Sequence, residues 1–149
     1  MNTKDYGIPQ NRERVYIVGC KDKDFEWPEK KVMDDLKNYV DHDDNIRRSV
    51  PNYCLQYLKN IPINSIFVNL CFLKYSNFPT SDIICPTISA SNNLWNVKLS
   101  RYANIKENLL LQGFSKNFKQ IISKSQLKKQ LGNTMSVNVL KCLLENILD

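Results

Sequence analysis

Gln10, Arg12 and Arg14 alternate with Asn11 and Glu13, and this spacing is the first feature of the sequence that could do chemistry. In an extended backbone successive side chains point to opposite faces, so the two guanidinium groups and the amide would share one face. Guanidinium groups bind phosphates and carboxylates through paired hydrogen bonds, so this face suits a polyanion or the polar edge of a ring. An ordinary edge strand with solvated arginines would give the same pattern.

The flanking residues predict the elements that hold this polar face. Gly7 and Pro9 predict a turn before it. Residues 15–18 (Val-Tyr-Ile-Val) are a short apolar, β-branched run, which predicts a buried strand ending at Gly19. The polar face would then lie at the mouth of a buried strand.

The C-terminal third predicts helices with clear start signals. Asn104 has a glutamate three residues later, and Ser123 has a glutamine at the same distance, which is the spacing of a capping box. Glycine commonly ends helices because it adopts positive φ easily, so these two helices are predicted to end at Gly113 and Gly132.

A last helix is predicted to begin at Asn133 or Ser136. Its apolar residues recur at helical spacing and form one stripe that must pack against another element. The stripe consists of Leu140, Leu143, Leu144, Ile147 and Leu148.

The middle of the chain gives shorter signals. Met33, Leu36 and Val40 recur at helical spacing, and Tyr53 and Tyr57 could lie on one side of another short helix. Strands are predicted at residues 66–73, 83–84 and 87–88.

Composition limits the class of protein. The chain has 149 residues and 42% hydrophobic content, enough for one modest domain with its own core. No run approaches the roughly 20 apolar residues of a membrane span, and no signal peptide opens the chain. The five cysteines are scattered without a Cys-x-x-Cys pair, so they are interpreted as reduced thiols of an intracellular protein. We expect no membrane partner.

The acidic run at residues 41–44 (Asp-His-Asp-Asp) could suggest a metal. No second cluster of ligands occurs in the sequence, so an exposed acidic turn is the preferred interpretation and no metal site is predicted.

Positive charge is concentrated near the C-terminus. The whole chain has a net charge of +6, and residues 98–149 hold nine lysines and arginines against three acids. A basic end suits contact with nucleic-acid phosphates, although a solvated lysine-rich helical surface has the same composition.

Three stretches in order resemble motifs of the cytosine-5 DNA methyltransferases. Residues 5–14 closely resemble the Asp-Tyr-Gly-Ile-Pro and Gln-x-Arg-x-Arg segment of that family. Arg101, Glu107 and residues 112–114 match its penultimate motif, and residues 123–140 match its last motif. Pro86 begins a Thr-Ile-Ser-Ala segment like the one that often follows the variable region of the family.

The resemblance implies roles for individual residues. Arg14 would donate to O2 of a cytosine flipped out of the DNA stack, while Arg12 and Gln10 would order the catalytic loop and nearby phosphates. Asn133 and Thr134 would close one side of the pocket for S-adenosyl-L-methionine, with threonine standing where serine is usual. The predicted DNA contacts are Lys98, Arg101 and Lys129.

Three other family motifs do not occur in the sequence: the glycine-rich cofactor motif, the Pro-Cys nucleophile and the Glu-Asn-Val motif. Cys85 and Pro86 have the reverse order, so Cys85 is not interpreted as the nucleophile. The chain is therefore expected to be the C-terminal part of a methyltransferase of the kind found in restriction-modification systems. It is expected to be inactive without an N-terminal half or subunit. The alternatives are a non-catalytic DNA-binding or remnant chain, and part of a related RNA cytosine-5 methyltransferase.

The resemblance also implies an architecture. We expect an incomplete α/β piece of a Rossmann-like methyltransferase domain with a small, irregular, β-rich target recognition domain. The segments would be a catalytic-domain strand at 1–20, the target recognition region at 21–98, the penultimate-motif helix at 99–122 and the final motif with its helix at 123–149. The expected location is the cytoplasm of a microbe, or the nucleus or a viral factory.

Overall fold

A computed structural model describes residues 1–21, 24–43, 49–74, 82–91 and 93–148. Within these residues the chain combines four α-helices with a small antiparallel sheet. The helices are α1 (Asn52–Leu58), α2 (Ile105–Leu111), α3 (Lys124–Asn133) and α4 (Val137–Leu148). The strands are β1 (Phe67–Asn69), β2 (Leu94–Asn96) and β3 (Arg101–Tyr102), and single 3-10 turns occupy Thr3–Asp5, Leu36–Tyr39 and Leu70–Phe72.

The sheet has the order β1-β2-β3, and both of its faces are buried. Phe67 lies opposite Asn96, and Trp95 lies opposite Tyr102. Because side chains alternate across a strand, the odd and even residues of β1 and β2 enter different apolar clusters. One cluster contains Leu36, Ile66, Phe67, Cys85, Ile88, Leu94, Ala103 and Leu111. The cluster on the other face contains Cys54, Val68, Leu70, Leu73 and Trp95.

The helices α2 and α3 begin as the sequence predicts. The Asn104 side chain accepts from the backbone N–H of Glu107, whose side chain accepts from the N–H of Asn104 in return. Ser123 and Gln126 form the same reciprocal pair at the start of α3. Such pairs satisfy two of the donors that a helix leaves unpaired at its start.

Gly113 follows α2 with a φ of 86°, as predicted for a glycine at a helix end. Gly132 does not end α3. It lies inside that helix, which continues to Asn133. The predicted termination at Gly132 is therefore wrong by one residue, and this glycine serves the packing of α3 as described below.

The predicted buried strand at residues 15–18 does not form. Among the described residues, no backbone hydrogen bond involves this segment, and Val15 and Ile17 are 88% and 94% exposed. A strand is stabilised by the ladder to its neighbour, and no described strand lies beside this one. The alternation of faces does persist, because Tyr16 and Val18 pack against a cluster that α4 and Tyr6 form.

Other predicted elements are shorter than expected. The helical pattern at residues 33–40 yields only the 3-10 turn Leu36–Tyr39, which the Asp35 side chain caps. The strand predicted at 66–73 ends after three residues because the Asn69 side chain accepts from the N–H of Cys71 and turns the chain. The strands predicted at 83–84 and 87–88 are reduced to one bridge between Cys85 and Gln10.

The described residues contain neither a membrane-spanning helix nor a cluster of metal ligands. None of the helices there has both the length and the apolar content that crossing a bilayer requires. In the same residues, no three His, Cys, Asp or Glu side chains are grouped so that they could hold a metal ion. Asp44, the last residue of the acidic run, lies outside the described part of the chain.

Candidate functional site

Arg12 lies at the centre of the polar interior, with 1% of its surface exposed. One nitrogen of its guanidinium, Nη1, donates to the carbonyl of Ile88 at 2.7 Å. The other, Nη2, donates to the carbonyls of Gly132 at 3.0 Å and Thr134 at 2.5 Å. A single side chain thus joins segments that lie 76, 120 and 122 residues away in sequence.

The positive charge of Arg12 is stabilised by the dipoles of backbone carbonyl groups. Among the described residues no carboxylate forms an ion pair with it, and its Nε is buried without a partner. Burial, together with the neighbouring charge of Arg14, lowers the pKa of Arg12 to about 10. The guanidinium therefore stays protonated at neutral pH.

Gln10 is fully buried, and its side chain also forms a hydrogen bond to the backbone. Its Nε2 donates to the carbonyl of Leu111 at the end of α2, at 3.0 Å. The backbone N–H of Cys85 donates to the carbonyl of Pro9, and that of Asn11 donates to the carbonyl of Cys85. Because neither Gln10 nor Arg12 reaches the surface, their positions do not support the predicted contact with DNA phosphates.

Arg14 differs from the other two, because its side chain is exposed. Its Nη1 donates to the carbonyl of the adjacent Glu13 at 2.6 Å. It borders an open groove of about 590 Å³, which is lined by Met1, Glu13, Arg14, Val15, Tyr16 and Trp27. The structure therefore separates the three polar residues into two interior anchors and one surface cation.

Asn133 and Thr134 lie at the C-terminal end of α3, where Arg12 binds the backbone. The backbone N–H of Thr134 donates to the carbonyl of Gln130 at 2.8 Å and closes α3. Asn133 is exposed and Thr134 is half-buried, and neither side chain has a hydrogen-bond partner among the described residues. A fixed backbone with an uncommitted amide and hydroxyl fits the binding of a polar ligand such as the one predicted here.

Gly132 allows α3 to approach the chain near Ile88. A Cβ built at Gly132 would lie 2.2 Å from the backbone nitrogen of Ala90 and 2.3 Å from the carbonyl carbon of Ser89. No side chain fits in that space. The absent side chain brings the last turn of α3 within reach of the same guanidinium that binds Ile88.

The start of α4 is tied to the N-terminal segment by residues that the sequence did not single out for this purpose. The Thr3 hydroxyl lies 2.5 Å from that of Ser136, and it also donates to the carbonyl of Arg12. Asn138 Nδ2 donates to the carbonyls of Thr3 and Tyr6. An asparagine among the apolar residues of the last helix is the one signal that could have indicated such a contact.

Arg101 is inside the protein instead of at the DNA-facing surface that was predicted for it. Its side chain is 2% exposed and forms a two-bonded ion pair with Glu107, at 2.7 and 2.9 Å. Its Nη2 also donates to the carbonyl of Asp41, whose backbone N–H donates to Glu107. This position does not support a phosphate contact for Arg101.

Lys98 and Lys129, the other two predicted DNA contacts, are exposed. Lys98 lies in the turn between β2 and β3, and Lys129 lies on α3. Both ammonium groups are placed where phosphate could reach them.

Cys85 has the surroundings of an inert thiol. It is fully buried, and its Sγ donates to the carbonyl of Pro86 at 3.3 Å. Burial, with a smaller contribution from the charge of Glu107, raises the pKa of the Cys85 thiol well above its ordinary value. The nucleophilic thiolate form is therefore disfavoured, in agreement with the interpretation from sequence.

Comparison with known proteins assigns the family. The model of the C-5 cytosine-specific DNA methylase family matches residues 1–149, which is the whole chain. This chain belongs to the C-5 cytosine-specific DNA methylases.

Among the relatives of this methylase chain, the type II methyltransferase M.HaeII of Haemophilus aegyptius is 32% identical over all of the chain and 49% of its own length. The type II methyltransferase M.NgoBI of Neisseria gonorrhoeae is 32% identical over 95% of the chain and 47% of its own length. M.SsoII of Shigella sonnei is 35% identical over 97% of the chain and 42% of its own length. The chain spans about half the length of these relatives and corresponds to their C-terminal half.

Proposed function

We propose that this chain works as the C-terminal part of a type II DNA (cytosine-5)-methyltransferase and becomes active when an N-terminal half completes it. The family match over the whole chain supports this proposal. The observation that carries it is the Arg12 clamp, which holds residue 12 of the first motif against residues 132 and 134 of the last. The segment proposed to contact the base is thereby bonded to the segment proposed to contact the cofactor.

Arg14 is proposed to contact the target base. An exposed guanidinium beside an open groove can donate to O2 of a flipped cytosine, where negative charge grows when a nucleophile adds to the ring. Gln10 and Arg12 cannot take this role because both are buried. The nucleophilic thiolate would come from the N-terminal half.

Asn133 and Thr134 are proposed to form one side of the S-adenosyl-L-methionine pocket. When bound, that cofactor supplies the methyl group. The contribution of this chain is to present an amide and a hydroxyl that no described residue engages, on a backbone that Arg12 fixes. Polar groups held in place before binding lose little entropy when a ligand arrives.

The exposed apolar face supports the proposal of an N-terminal partner. Val15, Ile17 and Leu148 are each more than 80% exposed, and Leu144 is 52% exposed. The backbone of residues 15–18 has no hydrogen bond to another described residue. An N-terminal half that adds neighbouring strands would cover the side chains and complete the ladder, giving the Rossmann-like domain expected from the sequence.

The helix α1 and the strands β1 and β2 lie in the segment proposed for target recognition, residues 21–98, whereas β3 lies in the segment that follows it. Lys98 and Lys129 are proposed to contact phosphate. If about four lysines or arginines meet phosphates in all, the logarithm of the DNA association constant should fall against the logarithm of salt with a slope of about −3.6.

Complementation tests the proposal. The chain would be co-expressed with the N-terminal half of M.HaeII, with the two M.HaeII halves as a positive control. We expect methyl transfer from labelled S-adenosyl-L-methionine to cytosine in DNA by the pair, and none by the chain alone. Transfer by the chain alone, or no activity from the pair when the control is active, would contradict the proposal.

The same pair tests the role of Arg14. Arg14→Ala should lower the single-turnover rate by about 10²–10³ with little change in DNA affinity, because its contact strengthens as charge develops. Arg14→Lys should restore little activity because an ammonium lacks the planar fork. Lys129→Ala is the matched control and should weaken DNA binding slightly at an unchanged rate. An unchanged rate in Arg14→Ala would remove the assignment.

A further inference from the structure

We propose that Arg12 is a positioning residue that caps the C-terminal end of α3 and thereby sets the backbone of Asn133 and Thr134. It binds no anion and touches no base in this assignment. The clamp itself is a property of this chain, whereas its consequence for cofactor binding rests on the proposed function.

The first support is the way in which α3 ends. The last carbonyls of a helix have no partner within the helix, and many helices satisfy them with a glycine at positive φ. Here the capping residue Thr134 is extended, with φ −75° and ψ 158°, so the chain does not fold back to cover these carbonyls. Arg12 Nη2 binds the carbonyls of Gly132 and Thr134 instead.

The second support is electrostatic. The C-terminal end of a helix carries partial negative charge, and a cation there is stabilising, more so in partly buried geometries. Among the described residues the guanidinium of Arg12 meets only carbonyl oxygens, and its burial keeps phosphate away. The charge of Arg12 therefore stabilises backbone carbonyls inside the protein.

The third support is the arrangement around Asn133. Nη2 binds the carbonyl of the peptide group before Asn133 and that of the peptide group after Thr134, so both ends of this two-residue turn are fixed. The side chains of Asn133 and Thr134 nevertheless stay uncommitted. Arg14 follows Arg12 by two residues, about 6–7 Å along an extended chain, so one short segment links the proposed base contact to the proposed cofactor turn.

Amide hydrogen exchange on the full chain tests the clamp without any catalytic activity. Arg12→Lys and Arg12→Gln should speed exchange of the Thr134 amide by about tenfold or more, beyond any change at the amide of Gln112, the residue that follows α2. Gln10→Met is the matched control, because it removes a buried bond to Leu111 of α2 from the same segment. It should leave the Thr134 amide no faster than the rest of the protein.

A uniform acceleration at Thr134 and Gln112 in the Arg12 variants would show a merely structural role and overturn the proposal, as would no acceleration. If the variants do not fold, the unsubstituted chain decides by NMR. Its Arg12 Nη protons should then exchange slowly and show scalar coupling across the hydrogen bonds to the carbonyl carbons of Gly132 and Thr134. Rapid exchange with no such signal would overturn the clamp.

S-adenosyl-L-methionine affinity of the completed enzyme tests the consequence. Arg12→Lys should weaken it by about tenfold, because a turn that has lost one hydrogen bond from a charged donor must be ordered again when the ligand binds. Equal affinity in a variant whose Thr134 amide exchanges faster would overturn the positioning role while leaving the clamp. If the unsubstituted completed enzyme does not bind this molecule, the proposed function fails while the exchange result still stands.

Discussion

Glu107 and the segment at residues 15–18 differ in how many of their polar and apolar groups find partners within this chain. Glu107 is fully buried, and its two oxygens accept from Arg101 and from the backbone N–H groups of Asp41 and Asn104. Residues 15–18 expose two of their apolar side chains and make no backbone hydrogen bond to other described residues. Glu107 belongs to a stretch that resembles the penultimate motif of the family, and residues 15–18 follow the stretch that resembles its Gln-x-Arg-x-Arg motif.

The difference shows which parts of the chain are self-sufficient. A buried carboxylate costs free energy unless every oxygen is paired, and for Glu107 this chain supplies all the partners. For residues 15–18 this chain supplies packing on one face only, where Tyr16 and Val18 contact the apolar cluster that includes α4. The region around Glu107 should therefore govern the stability of the chain, and the exposed segment should govern its association.

The largest effect is expected at Glu107. Glu107→Ala leaves the Arg101 guanidinium buried without its carboxylate and should cost about 3–5 kcal/mol in the free energy of unfolding. Urea denaturation measures this. Glu145→Ala is the control, since that residue pairs with Lys141 on the surface of α4 and should change stability by less than about 0.5 kcal/mol. Similar costs for the two variants would show that the pair around Glu107 has no special weight.

Gly132→Ala should come next. Alanine favours a helix over glycine by about 1 kcal/mol, but its Cβ would lie 2.2 Å from the backbone of Ala90. Backbone must then move, so we expect a net cost of about 1–3 kcal/mol in thermal or urea unfolding. A Cβ at Gly19 meets no atom within 4 Å, so Gly19→Ala should be nearly neutral. A stabilised Gly132→Ala protein would show that α3 does not approach residues 89–90 closely.

The exposed segment should respond in the reverse manner. Val15→Ser and Ile17→Ser should change the unfolding free energy of the isolated chain by no more than about 0.5 kcal/mol, because both side chains already face solvent. The same changes should weaken binding to the N-terminal half in a pull-down or calorimetric titration. Val68→Ser, in the buried sheet, is the control for stability and should be clearly destabilising. Undiminished association of both surface variants would remove residues 15–18 from the proposed interface.

The smallest effect concerns pH. Burial by itself would raise the pKa of Asp41, but hydrogen bonds from Asn104 and the Asp43 backbone, with the charges of Lys106 and Arg101, outweigh it and lower that pKa. A carboxyl whose pKa is lower in the folded state adds stability above its unfolded pKa, here 3.8, and loses it as pH falls through the folded value. Stability should therefore decline below about pH 4.

Asp41→Asn should flatten that decline, as unfolding curves between about pH 2 and 6 would show. Asp35→Asn serves as the control because its carboxylate is exposed and lies 3.8 Å from Lys37. An unchanged acid limb in the Asp41 variant would assign the decline to other carboxyls.

The sequence by itself determined the features that depend on neighbouring residues. The capping boxes at Asn104 and Ser123 follow from spacing of three residues, and the turn after α2 follows from the conformational freedom of Gly113. The alternation of faces from residue 10 to residue 18 follows from extended geometry. The stretches that resemble family motifs are likewise short and in order, and the family match confirms the family that they indicated.

Only the tertiary structure decided how those motifs are used. Spacing placed Arg12 and Arg14 on one face, but whether a guanidinium meets solvent or carbonyls 120 residues away depends on how α3 packs. Arg101 was expected at DNA and is buried against Glu107, because the backbone of Asp41 closes over the pair. Residues 15–18 lack their predicted ladder because pairing is a property of two strands, and a local pattern specifies only one of them.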